Sequence, residues 1–139
     1  MARRKSVRRS VLDSYAVLAF LGGEAGSDKV ATFLRRAEAL GEPVLMNEIN
    51  VGEVFNIIVR SRSESAAEDF LARLETLPID LVPNSLPDVV AAARVKAALP
   101  LACADAFAVA TALRFGVAVI SGDPEFEAAE ELVPIDWIS

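Results

Sequence analysis

The chain has 139 residues, 53% of them hydrophobic and 24% charged, and this composition predicts one domain with its own apolar core. Because Cys103 is the one cysteine and histidine is absent, the sequence excludes an internal disulfide, a Cys/His zinc site and nucleophiles activated by histidine. The net charge is −6, but five of the 14 basic residues precede position 10, which leaves 9 basic residues against 20 acids, or −11, in the remainder. Such an acidic domain suits a metal cation or a basic partner.

No apolar stretch reaches the roughly 18 residues that a membrane-spanning helix needs, so we expect a cytoplasmic protein that does not associate with membranes. Residues 1–9 form a basic N-terminal segment. The apolar run that follows is too short for a secretory signal, because Asp13 interrupts it. We therefore predict two parts, the basic segment 1–9 and a folded domain over residues 10–139.

Short apolar runs alternate with helical patterns along the chain. The apolar runs predict strands just before Asp13 and at residues 43–46, 78–83, 117–120 and 133–135. The segments between them predict helices at about 16–21, 27–40, 49–60, 63–74, 85–99 and 104–114, and a short acidic helix after Asp123. Strands that alternate with helices predict an α/β fold, with a parallel sheet of four or five strands and helices on both faces.

Several predicted helices have recognisable ends. Ser27 and Asn47 are predicted N-caps, Ser85 begins a capping box, and Gly41 ends the helix that Ser27 begins. The helix at about 49–60 is apolar around most of its circumference, so we expect it to be buried.

Four acids occupy positions where the predicted elements can bring carboxylates together. Asp13 and Asp123 each directly follow a predicted strand, and both side chains emerge at one edge of the sheet if those strands are parallel neighbours. Glu53 lies in the narrow polar sector of an apolar helix. Asp105 lies on the small apolar face of the helix at about 104–114.

Each of the three later acids also has a structural explanation. A salt bridge with Arg60 would explain Glu53, and the helix dipole would explain Asp105. Asp123 is a natural N-cap because proline follows it. Converging carboxylates, however, repel one another unless a cation joins them. Oxygen ligands alone suit Mg²⁺ or Mn²⁺, which act with water on phosphodiesters.

Four sequence blocks make this interpretation more specific. They are Val11-Leu12-Asp13-Ser14, Asn50-x-x-Glu53-Val54, Leu101-Ala102-Cys103-Ala104-Asp105-Ala106-Phe107 and Ile120-Ser121-Gly122-Asp123-Pro124-Glu125-Phe126. In their order and spacing, over about residues 10–136, they resemble the PIN-domain ribonucleases, in particular the VapC-type toxins of prokaryotic toxin–antitoxin pairs.

The resemblance assigns roles to individual residues. It implies that Asp13, Glu53, Asp105 and Asp123 bind Mg²⁺ or Mn²⁺, and that the Ser121 hydroxyl orients a carboxylate or a metal-bound water.

Three neighbouring features do not follow this assignment directly. Glu48 does not match the family motif, and Tyr15 departs from the small polar residue that is commoner in the family at its position. The acids from Glu125 to Glu131 are read as a solvated helix face, with a ligand to a second metal as the alternative for one of the first.

The resemblance implies a divalent-metal-dependent endoribonuclease. Because no histidine is present as a general base, we expect products with 5′-phosphate and 3′-hydroxyl ends. The family further implies a small cognate antitoxin with a basic segment, which the −11 charge suits, and a homodimer. The basic segment 1–9 either contacts RNA phosphates or is a solvated tail.

Two alternatives to the nuclease stay open at this point. One is a non-catalytic PIN-like module that binds a basic partner. The other is phosphoryl transfer with Asp13 as the nucleophile, for which the sequence offers neither a well-placed lysine nor a second acid beside Asp13.

Overall fold

Five parallel strands form one sheet in the computed structural model, which describes residues 9–139. The strands are β1 (Ser10–Leu12), β2 (Val44–Asn47), β3 (Ile79–Val82), β4 (Ala118–Ser121) and β5 (Ile135–Trp137). Their order across the sheet is β3-β2-β1-β4-β5. The predicted parallel sheet is confirmed, and the last strand lies at an edge as expected, although it begins at Ile135 rather than at Val133.

Six α-helices and one 3₁₀ helix connect the strands. They are α1 (Ser14–Gly22), α2 (Ser27–Leu40), α3 (Glu48–Ser61), α4 (Glu64–Leu74), α5 (Leu86–Ala98), α6 (Cys103–Phe115) and the 3₁₀ helix (Pro124–Ala129). Alternate strand residues face two separate cores. Val11 and Val119 pack with α5, α6 and the 3₁₀ helix, whereas Leu12 and Ile120 pack with α1 to α4. Helices therefore cover both faces of the sheet, as predicted.

Most of the predicted helix ends are confirmed. Asn47 accepts a hydrogen bond from the backbone N–H of Ile49 at 2.8 Å, and Ser85 forms a complete capping box. Ser27 is not a cap, because α2 already begins there and Gly26 precedes it with φ of 91°. A side chain at Gly26 would meet the backbone oxygen of Ile138 at 2.7 Å, so close packing requires glycine there.

The expectation that α3 is buried is wrong for much of its surface. Its buried residues are Asn50, Val54 and Ile58, while Ile49 and Ile57 are 40% and 36% exposed. The helix packs against α1, α4 and α6 on one side and leaves its other side open. Two of its apolar residues therefore belong to the surface.

Among residues 9–139, no single helix is long and apolar enough to cross a membrane. In the described part of the chain, α5 and α6 taken together reach that length and apolar character, but they are bent by 115° relative to each other. Of the predicted basic segment, residues 1–8 lie outside the part of the chain that the structure describes. Arg9 is described, and its Nε donates to the carbonyl oxygen of Pro43 at 2.8 Å.

Candidate metal centre

The strands β1 and β4 lie side by side and run parallel, with Leu12 opposite Ile120. The chain places β2 and β3 on one side of β1 and then crosses to place β4 on the other side. The connections that leave β1 and β4 diverge at this point, which is where open α/β sheets form a crevice at the carboxyl ends of their strands. The condition attached to the prediction for Asp13 and Asp123 is therefore met, since both residues follow neighbouring parallel strands.

Asp13 caps α1 from a buried position. Its Oδ1 accepts a hydrogen bond from the backbone N–H of Ala16 at 2.8 Å, and the residue is 1% exposed. Burial raises the pKa of Asp13 to about 7, because the charged form is poorly solvated there. The nearby Ser121 hydroxyl and the Ala16 N–H oppose that rise, while the charges of Asp105 and Asp123 add to it.

The second carboxylate oxygen of Asp13 is buried and accepts no hydrogen bond from any residue in the described range. Leaving such an atom unpaired costs roughly 1–3 kcal/mol, and more when it is charged. A buried carboxylate oxygen without a donor is a fitting ligand for a cation. This atom is therefore the first indication that the site is built for a ligand as well as for folding.

Asp105 lies in the first turn of α6 and is 8% exposed. Its pKa is raised to about 7, mainly by burial and then by the charges of Asp123, Glu53 and Glu125 in that order of importance. A stabilising dipole interaction at a helix start would lower the pKa instead. The dipole explanation therefore does not account for the electrostatics of Asp105.

Asp123 caps the 3₁₀ helix, and its Oδ1 accepts from the backbone N–H of Glu125 at 2.9 Å. One carboxylate oxygen from each of Asp105, Asp123 and Glu125 lies within 4.8 Å of the other two. Glu125 is exposed to solvent, as the sequence predicts. It nevertheless joins the other two acids, because the cap that Asp123 forms turns the chain back toward α6.

Glu53 is half-buried on α3, and its charge acts on the pKa of Asp105. Within residues 9–139, Glu53 forms no ion pair with Arg60. The salt-bridge explanation for Glu53 is therefore not supported. Glu48, which does not match the family motif, is exposed at the first position of α3.

Ser121 is the last residue of β4 and is fully buried. Its Oγ accepts a hydrogen bond from the backbone N–H of Asp123 at 3.0 Å, which fixes the turn that carries this acid. The same hydroxyl is near enough to Asp13 to lower the pKa of that acid, but it forms no hydrogen bond with Asp13 Oδ2. Ser121 thus lies beside two of the four predicted acids.

Tyr15 lies at the edge of this region and is 42% exposed. Its ring packs over Gly122, where an added Cβ would lie 2.6 Å from a ring carbon. The departure from the family pattern at Tyr15 is thus matched by the lack of a side chain at Gly122. The aromatic ring stands next to the turn that leads to Asp123.

We use the term acidic cluster for Asp13, Glu53, Asp105, Asp123 and Glu125. The ion pairs formed among residues 9–139 are Arg9 with Asp80 and Arg114 with Asp88, and neither includes a member of the cluster. The protein thus concentrates carboxylates without supplying a positive side chain from the described residues. An all-oxygen donor set of this kind fits a hard divalent cation.

The sequence matches the PIN domain family over residues 10–132, and the chain belongs to this family. Its fold is also that of chains in three solved toxin–antitoxin assemblies. A Klebsiella pneumoniae toxin–antitoxin complex matches with a TM-score of 0.66 and 13% identity, over 94% of this chain and 98% of the other. The DNA-bound VapBC of Salmonella typhimurium gives 0.72 and 12%, over 96% and 100%.

The third is VapBC2 of Rickettsia felis bound to a promoter DNA fragment, with a TM-score of 0.67 and 11% identity, over 91% of this chain and 96% of the other. At these identities the likeness defines the fold alone. No curated protein sequence matches this chain significantly. The resemblance to PIN domains inferred from four sequence blocks is confirmed by the family match.

Proposed function

We propose that this protein is a Mg²⁺- or Mn²⁺-dependent endoribonuclease and the toxin of a toxin–antitoxin pair. The observation that carries the proposal is the convergence of carboxylates at the β1–β4 crevice, with one buried oxygen of Asp13 left without a donor. Membership of the PIN domain family agrees with a nuclease. A cytoplasmic location follows from RNA as the proposed substrate.

The residues of the acidic cluster have different proposed roles. Asp13, Asp105 and Asp123 would hold the cation. The charges of Glu53 and Glu125 act on Asp105, and Ser121 fixes the turn before Asp123. A bound divalent ion supplies an activated water and neutralises charge on the phosphodiester. Because the pKa values of Asp13 and Asp105 are about 7, these acids exchange protons for the cation in the neutral range.

An antitoxin partner is supported by three observations. Chains with this fold occur in toxin–antitoxin complexes. The chain from residue 10 onward carries 9 basic residues against 20 acids, which suits a basic partner segment. A groove between α1, α3 and α4 combines apolar walls with charged edges; its lining includes Leu18, Leu21, Ile58, Phe70, Arg62, Asp69 and Arg73.

A homodimer is supported by apolar side chains that α5 and the end of α6 leave on the surface. They are Leu86 at 75% exposed, Val89 at 40%, Val90 at 38%, Leu113 at 46% and Phe115 at 42%. Exposed apolar side chains on two helices that pack together are typical of interaction surfaces. Light scattering would give a dimer mass for the wild type and a monomer mass for Leu86→Glu; a monomeric wild type would contradict the dimer and leave the nuclease untouched.

The nuclease is tested by incubating purified, antitoxin-free protein with a mixed RNA pool and Mg²⁺ or Mn²⁺, with EDTA as the metal-free arm. Asp13→Asn is the most informative variant, because asparagine is as good an N-cap as aspartate and keeps the start of α1 while removing the charge. Glu48→Gln removes a nearby exposed charge and serves as the control.

The proposal expects metal-dependent cuts with 5′-phosphate and 3′-hydroxyl ends in the wild type and in Glu48→Gln. Cleavage should be lost in EDTA and in Asp13→Asn. Products with 2′,3′-cyclic phosphate would contradict a mechanism that relies on activated water. Complete absence of cleavage by folded, metal-loaded protein would favour the non-catalytic module that binds a basic partner.

A further inference from the structure

Asn50 is the fully buried polar residue of α3, one helical turn before Glu53. Its Nδ2 donates two hydrogen bonds, to the Ser14 hydroxyl at 3.2 Å and to the backbone carbonyl of Ala104 at 3.1 Å. The Ser14 hydroxyl in turn donates to the backbone carbonyl of Asn50 at 3.3 Å. A single amide thus joins the starts of α1 and α6 to α3.

The two groups that Asn50 contacts are sequence neighbours of the most perturbed acids. Ser14 directly follows Asp13, and Ala104 directly precedes Asp105. Each contact therefore lies one residue away from an acid of the cluster. The Asn50 amide links the start of α1, which follows Asp13, to the turn of α6 that carries Asp105.

The amide oxygen of Asn50 gives an independent indication. Among the described residues, the buried side-chain atoms without a hydrogen-bond partner are this Oδ1 and the Oδ2 of Asp13. Such atoms are rare in folded proteins, and each one needs an explanation. An apolar residue of similar size at position 50 would avoid the cost of burying an amide oxygen without a hydrogen-bond partner. The asparagine therefore serves the fold through the two hydrogen bonds that its Nδ2 donates.

We propose that Asn50 is a positioning residue, which fixes the separation of Asp13 and Asp105 and so preorganises the acidic cluster for a divalent ion. The inference rests on the proposed function for the identity of the ligand. Asn50 itself contacts neither the ion nor the RNA in this proposal. Its effect passes through Ser14 on one side and through the backbone of Ala104 on the other.

Asn47 provides a matched control for Asn50. It is 1% exposed, precedes the same helix and donates through Nδ2 to Asn84 at 2.8 Å and to Thr111 at 2.9 Å. None of these partners is next to an acid of the cluster in sequence. Asn47→Ala also removes the cap of α3, so any general loss of stability should be at least as large as in Asn50→Ala.

The test measures two properties of Asn50→Ala, Asn47→Ala and Ser14→Ala. The first is hydrogen exchange of backbone amides over residues 103–107 in the metal-free protein. The second is the affinity for Mn²⁺ alone, followed by electron paramagnetic resonance. Ser14→Ala removes half of the bridge and keeps the proposal testable if Asn50→Ala does not fold.

We expect Asn50→Ala to accelerate exchange over 103–107 and to weaken Mn²⁺ binding about 10- to 100-fold, the range found when groups that orient metal ligands are lost. Ser14→Ala should show a smaller change in the same direction, and Asn47→Ala should show neither change. Equal effects of Asn47→Ala and Asn50→Ala, or faster exchange with unchanged Mn²⁺ affinity, would overturn the proposal.

Failure of the proposed function gives a different result. A folded wild type that binds no Mn²⁺ contradicts the metal centre itself. In that case exchange over 103–107 still decides about Asn50, because unchanged exchange in Asn50→Ala and Ser14→Ala excludes a bridge between the two acid-bearing helices.

Discussion

Two polar clusters lie at the carboxyl ends of the strands, and they are built in opposite ways. At the end of β2, Asn47, Asn84 and Thr111 form a neutral network. Asn47 accepts from the Ile49 N–H and from Asn84 Nδ2 at 2.9 Å, and it donates to Asn84 and Thr111. Every polar atom of the Asn47 amide is therefore paired, although the residue is almost fully buried.

At the ends of β1 and β4, the acidic cluster shows the reverse. Its members repel one another, the pKa values of Asp13 and Asp105 rise to about 7, and one oxygen of Asp13 has no donor. The neutral network stabilises the fold by itself, whereas the acidic cluster lowers its stability, a cost that the proposed cation would offset. Buried groups that repel one another in this way occur in proteins mainly at functional sites.

The largest expected difference between the two clusters is in RNA cleavage. Asp105→Asn should reduce metal-dependent cleavage about 100- to 1000-fold, the range found when a preorganised electrostatic contact is removed. Thr111→Val in the neutral network should leave the rate within about threefold, since its hydroxyl contacts Asn47 and the carbonyl of Phe107. Initial rates on one RNA would contradict this contrast if both variants lost the same activity.

The next effect concerns folding stability. Asn47→Ala removes the cap of α3 and its bonds to Asn84 and Thr111, so the free energy of unfolding should fall by about 2–3 kcal/mol. Urea denaturation measures this loss. Asp13→Asn is the comparison, because it keeps the cap and removes a poorly solvated charge. If Asp13→Asn were the less stable of the two at pH 8, the contrast between the clusters would be wrong.

Stability without metal should depend on pH in the direction set by the acidic cluster. In the folded protein, Asp13 and Asp105 hold a proton up to about pH 7, whereas in the unfolded chain such groups ionise near 3.8. The folded state binds more protons between these values, so its stability falls as pH rises from about 4 to 7.

Urea midpoints in EDTA at pH 5 and pH 8 measure this dependence. The double variant Asp13→Asn, Asp105→Asn provides the control, because it removes the two raised groups and leaves the contributions of others, such as Asp88, whose pKa is lowered. The wild type should lose more stability than the double variant over this interval. An equal loss in both proteins would refute the pH dependence assigned to the cluster.

The smallest effect is expected at Glu125, the exposed member of the cluster. Glu125→Gln should weaken Mn²⁺ binding about three- to tenfold without lowering stability, because its charge is largely solvated. Glu127→Gln, an exposed acid on the same 3₁₀ helix, should have no effect on the affinity. Equal affinities of the two variants for Mn²⁺ would exclude Glu125 from the cation site.

Local patterns in the sequence were sufficient for most of the fold. The caps at Asn47 and Ser85 and the left-handed Gly41 follow from the chemistry of single residues and their neighbours. The error at Ser27 has a non-local cause, since Gly26 is required by its contact with Ile138 at the far end of the chain. A short stretch of sequence around Gly26 contains no indication of such a contact.

The candidate site was predictable in part for the same reason. Asp13 and Asp123 each follow a strand directly, but their proximity depends on the order of the strands, which places β4 beside β1. For Glu125 the sequence favours a solvated face, with a ligand to a second metal as the alternative for one of the first acids, because nothing in an acidic segment shows which member turns toward α6. Asn50 belongs to one of the four sequence blocks, but the sequence assigns it no role. Its two contacts depend on how α1, α3 and α6 pack together.

The most direct test is a calorimetric titration of the metal-free protein with Mn²⁺ at pH 6.5, carried out in two buffers of different ionisation enthalpy. Because Asp13 and Asp105 are largely protonated at this pH, binding at the acidic cluster should release protons, and the heat should differ between the buffers. Asp105→Asn should abolish both the binding and the proton release. Binding that releases no protons, or that persists unchanged in Asp105→Asn, would show that the acidic cluster is not the cation site.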